Sequence, residues 1–143
     1  MNLLLRRIVL VITAALGAFV GVWAAAFPAS FYTEFPGFGF IWVAVDGAFN
    51  EHLIRDVGGL YLAIAAATIW ATFSSEQAAS RAVGLAWTVF GVLHFSYHAT
   101  HLSALSPADV AGELISLGTS LLLGVLLLLP PLYRPTSIRK KTA

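Results

Sequence analysis

Residues 8–27 read IVLVITAALGAFVGVWAAAF, a run without a single charged side chain. The run follows Arg6 and Arg7 and ends just before Pro28. A helix needs about 20 predominantly apolar residues to cross the hydrocarbon core of a bilayer. The stretch therefore predicts a membrane-spanning helix over residues 8–27.

The composition of the whole chain extends this prediction. The 143 residues are 59% hydrophobic and only 10% charged, and the mean hydropathy is +0.85. One soluble core of this size cannot bury so much apolar surface. Three further apolar segments occupy residues 50–73, 77–102 and 107–129. We predict an all-α integral membrane four-helix bundle that forms a single domain over residues 1–143.

Charge and cysteine content exclude several classes of function. A net charge of +1, with no clustered basic face, gives no sign of nucleic-acid binding. The absence of cysteine excludes disulfides, thiolate metal ligands and thiol nucleophiles. Any metal site must therefore use nitrogen and oxygen ligands.

Local signals mark the helix boundaries. Asn50 is the predicted N-cap of the second helix, and Ser74 with Gln77 fits a capping box before the third. Ser106 followed by Pro107 fits the start of the fourth helix. Pro130 and Pro131 are predicted to stop that helix.

The basic residues predict the orientation. If four helices cross alternately, only Arg55 lies on one side, and the other side collects Arg6, Arg7, Arg81, Arg134, Arg139, Lys140 and Lys141. By the positive-inside rule, both termini of this multi-pass plasma-membrane protein are predicted to be cytoplasmic. All four histidines are then near the extracytoplasmic face.

The connection between the first two helices is long and aromatic. It contains Phe31, Tyr32, Phe35, Phe38, Phe40, Trp42 and Phe49. We predict an extracytoplasmic loop that is either an aromatic belt at headgroup depth or a lid over a substrate.

The third helix carries a stripe of histidines. At about 100° per residue, His98 lies about 40° to one side of His94, and His101 lies about 20° to the other. His94 and His101 are two turns apart, so at most two of the three can bind one ion. The stripe predicts one wall of a polar pocket.

The neighbouring helices offer further polar groups at comparable depth. The second helix carries two pairs at i,i+4 spacing, His52 with Asp56 and Glu51 with Arg55. On the fourth helix, Glu113 lies one turn below Asp109. We predict that these side chains converge with the histidine stripe in one outward-facing pocket.

Such a pocket has two interpretations. Imidazole with carboxylate suits Cu, Zn or Fe, and the predicted ligands are His52, Asp56, His94, His98, His101 and Glu51. Arg55 and Glu113 are candidates for holding a ligand or cofactor. A haem between His52 and His98 is a less favoured alternative. In the other interpretation, the same side chains form a structural polar network.

Three blocks of the sequence resemble a known group of proteins. They are Phe27-Pro28 with Phe35-Pro36-Gly37, then residues 50–59 (NEHLIRDVGG), then residues 94–102 (HFSYHATHL). They resemble small four-helix membrane proteins common in actinobacteria, which implies a fold broadly like the DoxX-like bundles and implies no particular activity. The spacing of His94, His98 and His101 is also partly similar to a histidine box of membrane desaturases and hydroxylases.

Two functions follow as hypotheses. The first is a metal-binding membrane protein. As an oxidoreductase or hydrolase, it would act on a lipid or quinone-like molecule that enters from the bilayer. The second is a non-enzymatic accessory subunit or small-ligand binder, alone, as a homo-oligomer or in a larger membrane complex. An ion pathway is disfavoured because the polar residues stop halfway across the bundle. The catalytic residues of an enzyme are not predicted.

Overall fold

The computed structural model describes residues 1–130 and is 77% helical. Four helices are long and apolar enough to cross a membrane. They are α1 (Leu3–Ala26), α3 (Glu51–Phe73), α4 (Gln77–Thr100) and α5 (Pro107–Leu128). The predicted helical bundle is therefore confirmed, with boundaries that agree closely except at the first helix.

Helix capping explains where the observed helix boundaries agree with the predicted ones and where they differ. Helix α1 starts at Leu3 because the Asn2 side chain accepts a hydrogen bond from Leu5 N at 2.8 Å. Asn50 and Ser106 cap α3 and α5 as predicted. The capping box at Ser74 is wrong: Glu76 is the N-cap residue of α4 without a side-chain hydrogen bond, and Ser74 accepts from Glu76 N instead.

The two ends of the described chain meet. The Met1 amine donates a hydrogen bond to the Pro130 carbonyl at 2.6 Å, at what we call the terminal end of the bundle. This agrees with an even number of crossings. The predicted stop at Pro131 and the basic residues used for the orientation, Arg134, Arg139, Lys140 and Lys141, lie outside the described residues.

The segment between α1 and α3 has regular structure. It forms a short helix, α2 (Pro28–Glu34), and a hairpin of β1 (Pro36–Gly37) and β2 (Phe40–Ile41) that pairs Pro36 with Ile41. The hairpin turn needs positive φ at Gly37 and Gly39. This part of the molecule covers the opposite end of the bundle, which we call the hairpin end.

Aromatic rings hold the hairpin end together. Phe31 and Phe35 lie 4.6 Å apart, and Trp23 of α1 meets both rings edge-on, at 6.1 and 5.8 Å. Such edge-on aromatic pairs are favourable beyond the area they bury. They fix α2 and the hairpin against α1.

The long helices pack as two close pairs, α1 with α3 and α4 with α5. Glycine permits each close approach. A Cβ on Gly58 would meet the backbone of Ala25, and a Cβ on Gly84 would lie 2.7 Å from Leu127 Cβ. Small residues at helix interfaces allow this kind of backbone contact.

Trp87 of α4 joins the two pairs. Its side chain is 1% exposed, and its Nε1 donates a hydrogen bond of 2.9 Å to Thr68 Oγ1 on α3. Its ring fits against α1 because residue 17 is glycine: a Cβ there would lie 2.9 Å from the indole. Trp87 thus contacts both helices of the opposite pair.

The two halves of the bundle differ in packing. At the terminal end, buried residues from all four long helices form one cluster: Val9, Leu10, Ala71, Ala79, Val83, Leu123 and Leu127. At the hairpin end, the buried cluster contains only Ala24, Phe31 and Ile54, from α1, α2 and α3. Helices α4 and α5 are held away from it.

The adjacent glycines of α3 give a test of this packing. We expect Gly58→Ala to lower the free energy of unfolding by about 1–3 kcal/mol, because its Cβ would overlap the backbone of Ala25. Gly59 is the matched control, since a Cβ there has nothing within 4 Å; Gly59→Ala should be neutral or stabilise by up to about 1 kcal/mol. Unfolding in mixed micelles by SDS titration measures both. Equal effects would contradict the α1–α3 contact.

Candidate functional site

A cavity of about 380 Å³ lies between the two helix pairs at the hairpin end. Trp87 forms its floor, and Pro36 and Trp42 lie at its roof. Its walls are largely aliphatic and aromatic, with Leu16, Phe19, Val20, Ile54, Val57, Tyr61 and Leu117 among them. The open half of the bundle is therefore a hydrophobic chamber.

Three ionisable side chains meet at one end of this chamber. His98 Nδ1 lies 2.8 Å from Glu113 Oε1 and 3.7 Å from Asp46 Oδ2. The exposed fractions of the side chains are 15% for His98, 4% for Glu113 and 28% for Asp46. A protonated Nδ1 is the donor that an ionised carboxylate accepts from. We call these three residues the acidic cluster.

The connection between α1 and α3 brings Asp46 to the acidic cluster. Trp42 Nε1 donates a hydrogen bond of 3.1 Å to Asp109 Oδ1 on the first turn of α5. The indole fits there because residue 112 is glycine, where a Cβ would lie 2.9 Å from the ring. A turn with Asp46 N bonded to Val43 O at 3.2 Å follows directly. The same anchor on α5 thus positions both the roof and a carboxylate.

Two groups at the cluster remain available to a ligand. Glu113 Oε2 is buried and accepts no hydrogen bond from residues 1–130. His94 stacks on Phe90 at 5.0 Å and meets His98 edge-on at 4.7 Å. An unpartnered buried carboxylate oxygen is costly, so a donor that reached this oxygen from the chamber would be stabilised there.

Helix α5 contributes a polar stripe to the chamber. Glu113, Ser116 and Ser120 all line it, and their i, i+3 and i+7 spacing places them on one helical face. Leu117 lies between them on the same wall. The wall of α5 therefore carries three polar side chains around Leu117, whereas Tyr61 is the polar side chain that α3 contributes to the facing wall.

The predicted site residues of α3 lie elsewhere. His52 Nε2 pairs with Asp56 Oδ2 at 3.3 Å, with side chains 88% and 58% exposed, and neither lines the chamber. The sequence predicted how deep His52 and Asp56 lie along α3, but it did not predict which side of the helix they occupy. Ile54, Val57 and Tyr61 take the inner face of α3, which turns His52 and Asp56 outward.

The second predicted pair of α3 is local. Arg55 Nε donates to Glu51 Oε1 at 2.8 Å, and Arg55 also donates to the Ala25 carbonyl. Arg55 therefore ties α3 to the end of α1 and does not reach into the chamber. Glu51 is likewise outside it.

His101 also lies apart from the chamber. Its ring stacks on Tyr97 at 4.1 Å, and its Nδ1 lies 2.8 Å from the Tyr97 carbonyl. The residue ends α4 as its C-cap. Of the predicted residues, the chamber collects only His94, His98 and Glu113.

These positions bear on the metal and haem hypotheses. Within residues 1–130, no group of three or more His, Asp or Glu side chains has an arrangement that could hold a metal ion. His52 is on the outer face of α3, so it does not face His98 across the chamber as a second haem ligand. The predicted convergence of all the polar groups in one pocket is wrong.

Sequence reasoning missed Asp46, Ser116, Ser120 and the two tryptophans of the chamber. A periodic signal existed for the serines, which repeat with Glu113 on one face of an otherwise Leu-rich helix. No local signal existed for Asp46, because the hydrogen bond between Trp42 and Asp109 spans 67 residues of sequence.

A substitution cycle tests the bond between His98 and Glu113. We expect His98→Leu and Glu113→Leu each to lower the free energy of unfolding by about 3 kcal/mol, because each leaves a buried polar partner uncompensated. The double variant should cost less than the sum. SDS titration in mixed micelles measures all three.

The control for this cycle is His101→Leu, which removes an exposed imidazole and should change stability by no more than about 0.5 kcal/mol. EDTA should leave the wild-type unfolding midpoint unchanged. Additive single effects would argue against the bond. A chelator effect as large as the substitutions would favour a metal.

Comparisons with known proteins add no relative. No protein-family model, no curated protein and no solved structure matches this chain. The resemblance to small four-helix membrane proteins with a DoxX-like bundle, and the partial similarity to desaturase histidine boxes, stay predictions.

Proposed function

We propose that this chain is a multi-pass membrane protein that binds an amphiphilic, lipid-soluble small molecule between its two helix pairs. The observation that carries the proposal is the chamber, which has apolar walls and a buried acidic cluster at one end. An amphiphile matches this separation of apolar and polar surface, since its apolar body fits the walls and its polar head fits the acidic cluster.

The size and chemistry of the chamber support the proposal. Its volume of about 380 Å³ falls within the range of roughly 300–1,000 Å³ of small-molecule sites. Such sites combine mostly hydrophobic walls with a few polar groups that fix orientation. Here those polar groups are Glu113 Oε2, His94 and the two serines of α5.

The route of access supports a lipid-soluble ligand. Leu16 and Phe19 of α1 line the chamber and are 40% and 50% exposed, which fits a chamber that is open at its side. Helices α1 and α5 belong to different pairs and pack only lightly on each other. The chamber therefore reaches the lateral face of the bundle, which in a membrane is the face that lipid contacts.

Binding is favoured over metal-dependent catalysis by the side chains that gather at the chamber. An oxidoreductase or hydrolase using Cu, Zn or Fe needs a ligand set with an open coordination position. The predicted ligands His52, Asp56, Glu51 and His101 lie outside the chamber. The proposal therefore follows the non-enzymatic hypothesis, in which His98 and Glu113 form a polar network. We keep the predicted orientation, with both termini cytoplasmic.

Blocking the chamber tests the proposal. The Trp70→Phe background removes a tryptophan that is 65% exposed and leaves Trp23, Trp42 and Trp87. In lipid nanodiscs, dibrominated undecanol should quench their fluorescence saturably, through the two that line the chamber, Trp42 and Trp87. We expect Ser120→Phe to weaken the affinity for dibrominated undecanol, measured from this quenching, by at least about tenfold, because the added ring occupies the chamber.

Thr119→Phe is the matched control, since Thr119 is the neighbouring residue on the exposed face. It should bind like the parent protein. The proposal fails if the parent protein shows only the linear quenching expected from bromine dissolved in the bilayer, or if both phenylalanine variants bind equally well.

A further inference from the structure

We propose that the head group of the ligand is a protonated amine, held between Glu113 and Asp46. This inference rests on the proposed function, since it names the chemistry recognised at the polar end of the same chamber. Three features of the acidic cluster lead to it: its charge, its unpaired acceptor and the absence, among residues 1–130, of a lysine or arginine beside it.

The charge of the cluster is unbalanced. Two carboxylates, Asp46 and Glu113, share a single imidazole nitrogen, His98 Nδ1. When both acids are ionised, even a protonated His98 leaves one negative charge in a poorly solvated site. Buried charges are stabilised only when they are paired and hydrogen-bonded. A cation beside the two carboxylates would balance this charge.

The nearest imidazole outside the cluster is already packed: the His94 ring stacks on Phe90 and meets His98 edge-on. Among residues 1–130, neither lysine nor arginine lines the chamber. The arginine on the nearby turn of α3, Arg55, is engaged by Glu51 and the Ala25 carbonyl. A positively charged head group that enters the chamber would supply this charge.

The unpaired acceptor defines what the head group must donate. Glu113 is 3% exposed, it lines the chamber, and its Oε2 has no donor within residues 1–130. A carboxylate head would bring a third negative charge and no proton to donate. A hydroxyl would donate one hydrogen bond without compensating the charge. An ammonium group does both, because it carries three donors and a positive charge.

The apolar part of such a molecule has a defined direction. By the rise of 1.5 Å per residue, Trp87 lies about 16 Å along α4 from His98. An alkyl chain whose amine contacts the acidic cluster thus runs along Leu117 and Tyr61 toward the indole. The proposed ligand is a single-chain or compact lipophilic amine.

A competition experiment tests the head group. Undecylamine, undecanol and undecanoate share one chain and differ only in the head, and each is titrated against dibrominated undecanol in zwitterionic nanodiscs. The concentration of each competitor is expressed as moles bound to the bilayer per mole of lipid, which corrects for the different partitioning of the three molecules. We expect the amine to relieve the quenching at least about tenfold more effectively than the alcohol, and undecanoate to be the weakest competitor.

Variants assign the preference to the cluster. Glu113→Gln and Asp46→Asn each remove one negative charge and should reduce the preference for the amine over the alcohol to less than about threefold. Asp56→Asn is the control, because that carboxylate pairs with His52 outside the chamber; it should keep the full preference. The wild-type comparison does not depend on the variants folding.

The outcomes separate the two proposals. Equal competition by the three heads, or stronger competition by the alcohol or the acid, overturns the amine while leaving an amphiphile in the chamber. Saturable quenching that no competitor relieves also overturns it. Absence of saturable quenching in the parent protein overturns both the proposed function and this inference.

Discussion

The close contact of α1 with α3, and of α4 with α5, is the constraint on which the rest of the bundle depends. Gly58 and Gly84 allow the backbones within each pair to approach, so each pair behaves as one unit. Between the units, Trp87 fills the centre and bonds Thr68. Below it, aliphatic side chains from all four long helices close the core. Above it, residues 1–130 form no comparable set, and the space between the pairs remains open.

The hairpin end determines what that open space can recognise. The hydrogen bond from Trp42 to Asp109 secures the connecting segment on α5, and the same segment delivers Asp46 to His98. Glu113 is already beside His98 because α4 and α5 pack closely. The acidic cluster is thus assembled by one contact within a helix pair and one contact made by the roof. Neither helix of the other pair contributes to it.

Local chemistry predicted most of the fold and less than half of the site. Helix number, helix limits and the Asn50 and Ser106 caps follow from hydropathy and capping, which act over a few residues. The failure at Ser74 shows the limit of this reasoning. Ser74 and Ser106 have similar extended backbones, but Ser106 accepts from the amide three residues on and Ser74 from the amide two residues on. His52 and Asp56 were assigned the right helix and the wrong face. The rotation of α3 places Ile54, Val57 and Tyr61 toward the chamber, a tertiary effect that periodicity alone does not give.

The uneven packing of the bundle has a mechanical consequence. The pairs share one core at the terminal end, and at the hairpin end they meet through the roof and through Tyr61 against Phe90. They therefore resemble two arms that share a pivot near Trp87. The angle between the arms sets the width of the chamber, and the connecting segment sets that angle through its anchor at Asp109. Any molecule that spreads the arms must strain this anchor, which would also move Asp46 relative to His98. The width of the chamber and the geometry of its charges are therefore coupled through a single indole hydrogen bond.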